Sequence, residues 1–396
     1  MSEWKKVKLG EICERVTSGG TPKANVSSYY NPPTIPWLKT KEVNYCRITE
    51  TENYISEEGL KNSSAKLISP NSVIIAMYGQ GDTAGRIAIN KIPLATNQAC
   101  CNLTIDKSKA DYEFIYYQLC TLYDKLVSLK AGAAQPNLNA RIIKNLEIIM
   151  PSLPIQHRIA NILSRYDSLI ENYQKQIKLL EEAAQRLYKE WFIDLHFPGH
   201  ENTNIIDGVP EGWEKKPISQ LGEYLNGFAF KPSDWQKSGK PIIKIKEMGN
   251  GVSNDTPRNN GERVPAKYLV KAGDLLFSWS ATLMVIVWSG EEGWLNQHLF
   301  KVTPSKGIER EFLLQSISNT IEEFQNLTTG STMKHIQRNK LDQVFVNVPN
   351  AEIMKRYSDI SEKTRSNILS LQSQLRLLTE ARDRLLPKLM NGEIAV

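Results

Sequence analysis

Beyond Pro151 and Pro154 the apolar positions step by three and four, through Ile155, Ile159, Ile162, Tyr166, Ile170, Tyr173, Ile177, Leu180, Ala184, Leu187 and Trp191. A helix of 3.6 residues per turn gathers such positions on one stripe, so the pattern predicts a long amphipathic helix over 153–194. After Pro349 it returns through Ile353, Tyr357, Ile360, Thr364, Ile368, Leu371, Leu375, Leu378 and Leu385, predicting a second long helix over 350–396. Both stripes take two four-residue steps in succession at the same place, and this shared irregularity predicts that the helices pack on each other. Ahead of each helix, over 1–152 and 213–349, the rhythm differs. Strand-like runs such as Ser72–Met77 and Asp274–Phe277 mix there with short helical patterns near 111–129 and 309–326, which reads as an α+β domain. Between the copies, 195–212 is rich in Gly, Pro and Asn and reads as an exposed linker.

The two halves repeat one another. Trp4 and Val16 match Trp213 and Leu225 at an offset of 209, and Pro36–Val43 matches Pro241–Met248 at 205. Leu67–Met77 pairs with Leu269–Trp279 at 202, and Asn97-Gln98 with Asn296-Gln297 at 199. From Glu113-Phe114 and Glu311-Phe312 onward, through Gly132 and Gly330 to Gln176–Leu187 and Gln374–Leu385, the offset holds at 198. Equivalent repeats pack most naturally through a self-complementary contact, which makes the paired helices antiparallel, coiled-coil-like and related by an internal pseudo-two-fold. The expected architecture is a dumbbell of two similar domains separated by two long helices. At 1.5 Å per residue the first helix would span about 55 Å, against about 34 to 36 Å for one turn of DNA.

Composition narrows the classes without choosing one. With 396 residues, 41% hydrophobic and 23% charged, the chain is long enough for two ordinary globular domains. Its net charge of +6 is compatible with a polyanionic partner. Met-Ser-Glu-Trp-Lys-Lys at the start lacks the apolar core of a signal peptide, and Ala281–Trp288 is far too short to cross a bilayer, so a cytoplasmic protein without membrane contact is expected. Cys13, Cys46, Cys100, Cys101 and Cys120 form no CxxC pair and read as reduced structural thiols. His157, His196, His200, His298 and His335 show no metal spacing, and no metal site is expected.

Catalytic patterns come close without closing. Asn31-Pro32-Pro33-Thr34 resembles the NPP(Y/F/W) motif of DNA adenine methyltransferases, but Thr34 has no face on which a flipped base could stack. Gly79-Gln-Gly-Asp-Thr-Ala-Gly85 follows a strand, yet Arg86-Ile-Ala-Ile-Asn looks like another strand rather than a phosphate-binding helix, so a hairpin loop is expected. Gly239-Lys240 runs into Pro241 and makes no nucleotide-binding loop, while Asp207 with Glu214-Lys-Lys216 reads as a solvated charge cluster. No catalytic residue is assigned.

Glu190–Pro198, Gly208–Trp213, Asn226–Lys231, Pro154–Arg158 with Ile159–Leu163, and Leu385–Gly392, taken with the repeat, make the whole chain resemble the specificity subunit of type I restriction-modification systems. That resemblance implies two target-recognition domains, each reading half of a bipartite, asymmetric sequence in double-stranded DNA. It also implies two methyltransferase subunits that methylate adenine with S-adenosylmethionine, and a restriction motor subunit that uses ATP and magnesium; this chain itself would carry no cofactor. Since base readout needs donors and acceptors on loops and phosphate contacts need basic or small polar groups, the expected DNA contacts are Lys39, Lys41, Gln80, Arg86, Gln135 and Asn137 in the first copy. At matched places in the second copy the expected contacts are Lys244, Lys246, Trp279, Ser280, Lys334 and His335. The charged helix faces at His157, Arg158, Lys355 and Arg356 are the expected surfaces for the methyltransferase subunits. Met77-Tyr-Gly-Gln-Gly81 is replaced by Ser278-Trp-Ser-Ala-Thr282, so the two domains are expected to read different sequences. Two other readings stay open, a self-sufficient adenine methyltransferase using Asn31 and a coiled-coil scaffold without a DNA role.

Overall fold

The computed structural model describes residues 4–130, 137–327 and 338–396. The chain divides into two compact units, Met1–Ile170 with Leu378–Val396, and Glu171–Leu377. In the first unit a five-stranded sheet runs in the order Cys13–Ser18, Cys100–Ile105, Val73–Ala76, Ile87–Asn90, Cys46–Ile48. A four-stranded sheet follows the order Tyr54–Ile55, Ile35–Leu38, Leu94–Thr96, Leu67–Ile68. Val73–Ala76 and Ile87–Asn90 are buried along their whole length. One face lies under Phe114, Ile115, Ile159 and Leu163, and the other under Leu38, Val43 and Ile48, which is why these strands read as continuous apolar runs instead of alternating.

The second unit repeats the plan. Gly222–Asn226, Leu299–Pro304, Leu275–Ser278 and Met284–Val287 form one sheet, and Arg258–Asn259, Lys240–Ile243, Gly293–Leu295 and Leu269–Val270 the other. Lys5–Lys8 pairs with Glu147–Met150 in the first unit as Glu214–Pro217 pairs with Phe345–Val348 in the second. Sheet register corrects one detail of the repeat. Val16 lies opposite Leu103 and Tyr224 opposite Val302, so Val16 corresponds to Tyr224 and not to Leu225. The cause is a bulge: Thr104 pairs with Arg15 and Ile105 with Cys13, which leaves Glu14 as an extra residue that the second copy lacks.

The first long helix runs Leu153–Tyr188 and continues as a π-type turn over Lys189–Ile193. Its buried stripe is Ile159, Leu163, Ile170, Ile177, Ala184, Tyr188 and Trp191. The second long helix runs Ala351–Met390. In the first unit Leu389 and Met390, near its end, share a core with Ile159 and Leu163, near the start of the first helix. In the second unit Tyr357, near its start, lies 6.4 Å from Tyr188, 6.0 Å from Trp191 and 4.9 Å from Phe192. Within each unit the helices therefore run antiparallel. One stripe position differs from expectation: Ile360 is 46% exposed, and Ser361 and Arg365 are buried in its stead because Arg365 turns inward to a carboxylate.

That carboxylate belongs to a buried ionic contact that both units contain in opposite polarity. In the first unit Asp167 accepts hydrogen bonds from Arg47 at 2.8 Å, Arg382 at 2.8 Å and the Tyr117 hydroxyl at 2.5 Å. Burial alone would raise the Asp167 carboxyl, but bonds from Tyr117, Arg382 and Arg47 hold it below its ordinary value. In the second unit the matching helix position carries Arg365, which donates to Glu311 at 2.9 Å. Glu113, the counterpart of Glu311, pairs instead with Lys91 at 3.1 Å and Arg47 at 3.5 Å.

Two loops also take definite form. The segment expected as an exposed linker is partly folded: the Phe197 ring packs tilted against Trp213 at 4.6 Å, and Ile205–Ile206 pairs with Val209–Pro210. Asp207 and Gly208 make the turn at φ 51° and 76°, the backbone that a two-residue Asp-Gly hairpin requires. Glu214 and Lys216 form an ion pair at 2.7 Å. Cys100 and Cys101 are buried, and burial pushes the thiols of Cys13, Cys101 and Cys120 up to about 12, which keeps them protonated.

Asp167→Ala leaves Arg47 buried without its main partner and is expected to cost about 3 to 5 kcal/mol of stability, measured by denaturant unfolding. Because the folded carboxyl titrates below the unfolded value of about 3.9, its contribution is complete above that pH and fades as pH falls through the folded value; Asp167→Ala removes this acid-labile part. Ile368→Ala should cost about 2 to 5 kcal/mol, whereas Ile360→Ala should change stability by about 0.5 kcal/mol or less.

Candidate nucleic-acid interface

Antiparallel pairing brings alternate strand ends to one edge of a sheet. In the first unit Ser18, Ala76, Ile87, Cys46 and Cys100 stand together at such an edge. The parallel pair Leu38 and Thr96 ends next to it, since the Asn97 N–H donates to Leu38 and the Gly20 N–H to Thr96. Gly19–Thr21, Lys39, Tyr45, the 77–86 loop and Asn97–Ala99 thus converge on one end of the domain. Leu138 joins them by donating its N–H to Met77 at 3.0 Å. In the second unit the same edge gathers Asn226–Phe228, Lys244, the 279–283 loop and Asn296–His298.

Glycine permits the closest of these approaches. A Cβ on Gly19 would stand 2.1 Å from the Thr96 carbonyl oxygen, and one on Gly227 would stand 2.1 Å from that of Asn296. Gly19 donates to Cys100 as Gly227 donates to Leu299, so the two glycines are structural equivalents.

The expected contacts divide by surroundings. Lys39 and Lys244 form a matched pair: Lys39 stacks over Trp37 and Lys244 over Trp235, each at 5.0 Å. The N–H of Lys39 donates to Glu42 at 3.0 Å, and that of Lys244 to Glu247 at 3.1 Å. Neither lysine of each Lys-x-Lys sits within a strand: Lys41 is in the Thr40–Glu42 turn beside Glu52, and Lys246 is in the Ile245–Asn250 helix. Gln80 is exposed at the tip of the hairpin that joins Val73–Ala76 to Ile87–Asn90, which is the loop reading of the glycine-rich segment. Arg86 pairs with Asp82 at 2.6 Å, and its cation lowers the Asp82 carboxyl; Tyr123 donates to the Asp82 carbonyl at 2.8 Å. Asn137 is half-buried next to Leu138. Ser280 departs from expectation, because at 3% exposure its hydroxyl does not face solvent. Trp279 is half-buried, with its ring 6.0 Å from Phe300 and its indole N–H donating to Asn226 at 3.3 Å. Gln135, Lys334 and His335 lie outside the described residues.

On the helices, His157 is exposed and faces Asp111 at 3.0 Å, and Arg158 beside it is exposed. Lys355 pairs with Asp359 at 3.3 Å and Arg356 with Glu352 at 3.1 Å, each one helical turn away. Asn31–Thr34 is exposed on the turn entering the Ile35–Leu38 strand, with the preceding Tyr30 set edge-on to Trp37.

A family model described as the type I restriction modification DNA specificity domain matches residues 1–182 and again 210–375. The chain belongs to this specificity family. It is the specificity subunit of a type I restriction-modification system, and it recognises DNA sequence. Curated relatives include the Type I restriction enzyme MjaIX specificity subunit of Methanocaldococcus jannaschii, 26% identical over all of this chain and 94% of that protein. The HindI specificity subunit of Haemophilus influenzae is 22% identical over the full length of both. The crystal structure of a type I system S subunit from M. genitalium shares the fold at a TM-score of 0.62 and 16% identity, covering 98% of this chain and 96% of that one. Among the described residues no helix of this specificity subunit is long and apolar enough to cross a membrane.

Several edge residues were not singled out from the sequence. Tyr45 is 40% exposed at φ 52° and packs edge-on against Tyr123. Thr21 bonds to Gln98, and Asn226 and His298 are exposed beside Trp279. Gly19-Gly20 and Asn226-Gly227 were the available signals, since glycine at a strand end marks a close backbone approach. Gly19→Ala and Gly227→Ala are each expected to cost about 1 to 3 kcal/mol and to lower the unfolding midpoint. Gly81, with nothing within 4 Å of an added Cβ but φ of 60°, should lose only the left-handed backbone preference on mutation to Ala, about 1 kcal/mol.

Proposed function

We propose that this specificity subunit reads a bipartite, asymmetric site in double-stranded DNA, one half-site at the loop edge of each domain. The observation that carries the reading is the pair of matched edges with unmatched loops. Between the central strands the first domain has residues 77–86 where the second has 279–283, and the strands that the two domains share keep the same order beneath. A common scaffold with different hairpin tips suits the reading of two different sequences. Lys39, Lys41, Gln80, Arg86, Asn137, Lys244, Lys246 and Trp279 are the proposed contacts within the described edges, with the lysines on phosphates.

Catalysis would rest with partners. Two modification subunits holding S-adenosylmethionine would dock on the helix faces at His157, Arg158, Lys355 and Arg356, and a restriction subunit would supply ATP- and magnesium-dependent cleavage in the cytoplasm. This chain then has no catalytic role, and the exposed Asn31 turn serves the domain's structure. Thr34 in that turn gives a flipped base no aromatic face, which disfavours the self-sufficient methyltransferase.

Co-expression with the modification subunits followed by single-molecule methylation mapping tests this. The expected motif has two specified segments separated by unspecified positions, and Asn31→Ala leaves it unchanged. A single continuous motif, or methyl transfer by the isolated chain that Asn31→Ala abolishes, would refute the proposal.

A further inference from the structure

At the edge of the second domain an amide is held by a group that can only donate. The Trp279 indole N–H reaches Asn226 at 3.3 Å, and because an indole nitrogen has no acceptor function, the Asn226 atom facing it must be Oδ1. This fixes which way the amide is turned. One Oδ1 lone pair and both Nδ2 hydrogens of an exposed side chain remain for a ligand. Trp279 is itself anchored, its ring 6.0 Å from Phe300 and 5.9 Å from His298, so the amide sits on a packed support rather than on a free loop.

Among the described residues the first domain offers nothing of this kind at the same place. Asn226 lies opposite Phe300 and Ser18 opposite Cys101, while Ser278 and Ala76 occupy matching positions on the next strand. Ser18 and Met77 are thus the counterparts of Asn226 and Trp279, and Met77 is only 5% exposed. The exchange lies at the edge, at the ends of strands that pair in the same way in both domains.

We infer that Asn226 reads an adenine in the half-site of the second domain, with Trp279 as the positioning residue that presents its amide. An acceptor beside a donor matches the major-groove edge of adenine, which offers N6–H and N7; guanine presents two acceptors there and can satisfy only one side of the amide. The inference rests on the bipartite reading above and adds a residue and a base to it.

The assay uses the complete modification complex on a plasmid library randomised through both half-sites, read by methylation mapping. Asn226→Ala is expected to abolish the preference for A·T at one position of one half-site, a discrimination of roughly 5- to 150-fold, while every other position keeps its base. Trp279→Phe, which retains the ring and removes the N–H, should relax the same position, a result that a purely structural role for Trp279 would not give. Arg86→Ala should leave that half-site untouched. Should Asn226→Ala stop modification altogether, competition binding by the complex with duplexes varied at each position decides: flattening at one A·T position supports the inference, and uniform weakening overturns it. An unchanged motif, or a half-site without a specified A·T pair at the affected position, also overturns it. A wild-type motif that is not bipartite defeats the underlying reading instead.

Discussion

In the first unit the five-stranded sheet, the helix that covers it and both long helices meet at one buried carboxylate. Asp167 lies on the first long helix, Arg47 on an outer strand, Tyr117 on the helix that covers the sheet, and Arg382 on the second long helix. A charge taken out of water is tolerated only where its partners are complete, and completing Asp167 requires sheet, covering helix and both long helices in their native places. The second unit solves the same problem with the sign reversed, Arg365 on the helix against Glu311 on the covering helix. A buried ion pair tolerates no slip along the helices, so it adds a register constraint to the packing of the apolar stripe.

Reversal of sign also distinguishes the two halves. Position 167 is an aspartate that needs two arginines, and its counterpart 365 is an arginine that needs a glutamate. Exchanging one helix segment for the other would bring Arg365 against Arg47 and Arg382 in the first unit, a cluster of like charges. A repeat that is nearly symmetric in its backbone is thus unsymmetrical in what each half accepts, just as its reading edges are unsymmetrical in what they present.

Much of this was legible along the chain, for a physical reason. Helix stripes and the locked offset are written in local periodicity, and nearly every stripe position is buried or half-buried. The hairpin nature of Gly79–Gly85 was visible because a strand followed where a phosphate site needs a helix. What was missed depends on contacts distant in sequence. Ile360 was assigned to the stripe because nothing local reveals that Arg365 finds Glu311, 54 residues away. Ser280 was placed at the surface by analogy with a hairpin tip, but the tighter second loop buries it. Asn226 passed unnoticed because its value comes from Trp279, 53 residues on.

The drift of the repeat offset follows the same division between core and surface. It changes at the Glu14 bulge, in the loops between strands, and in the turn after Ile105, where the first copy has one residue more before Asp111 than the second has before Glu309. From that turn through the long helices it does not change again. A residue added to a surface loop costs little, because closure entropy grows slowly with length, whereas one added to a packed helix rotates every later side chain off its stripe. Insertions therefore fall in loops, turns and a strand bulge and are excluded from the helices. That asymmetry lets the reading loops differ between the two domains while the helix positions that hold them stay in step.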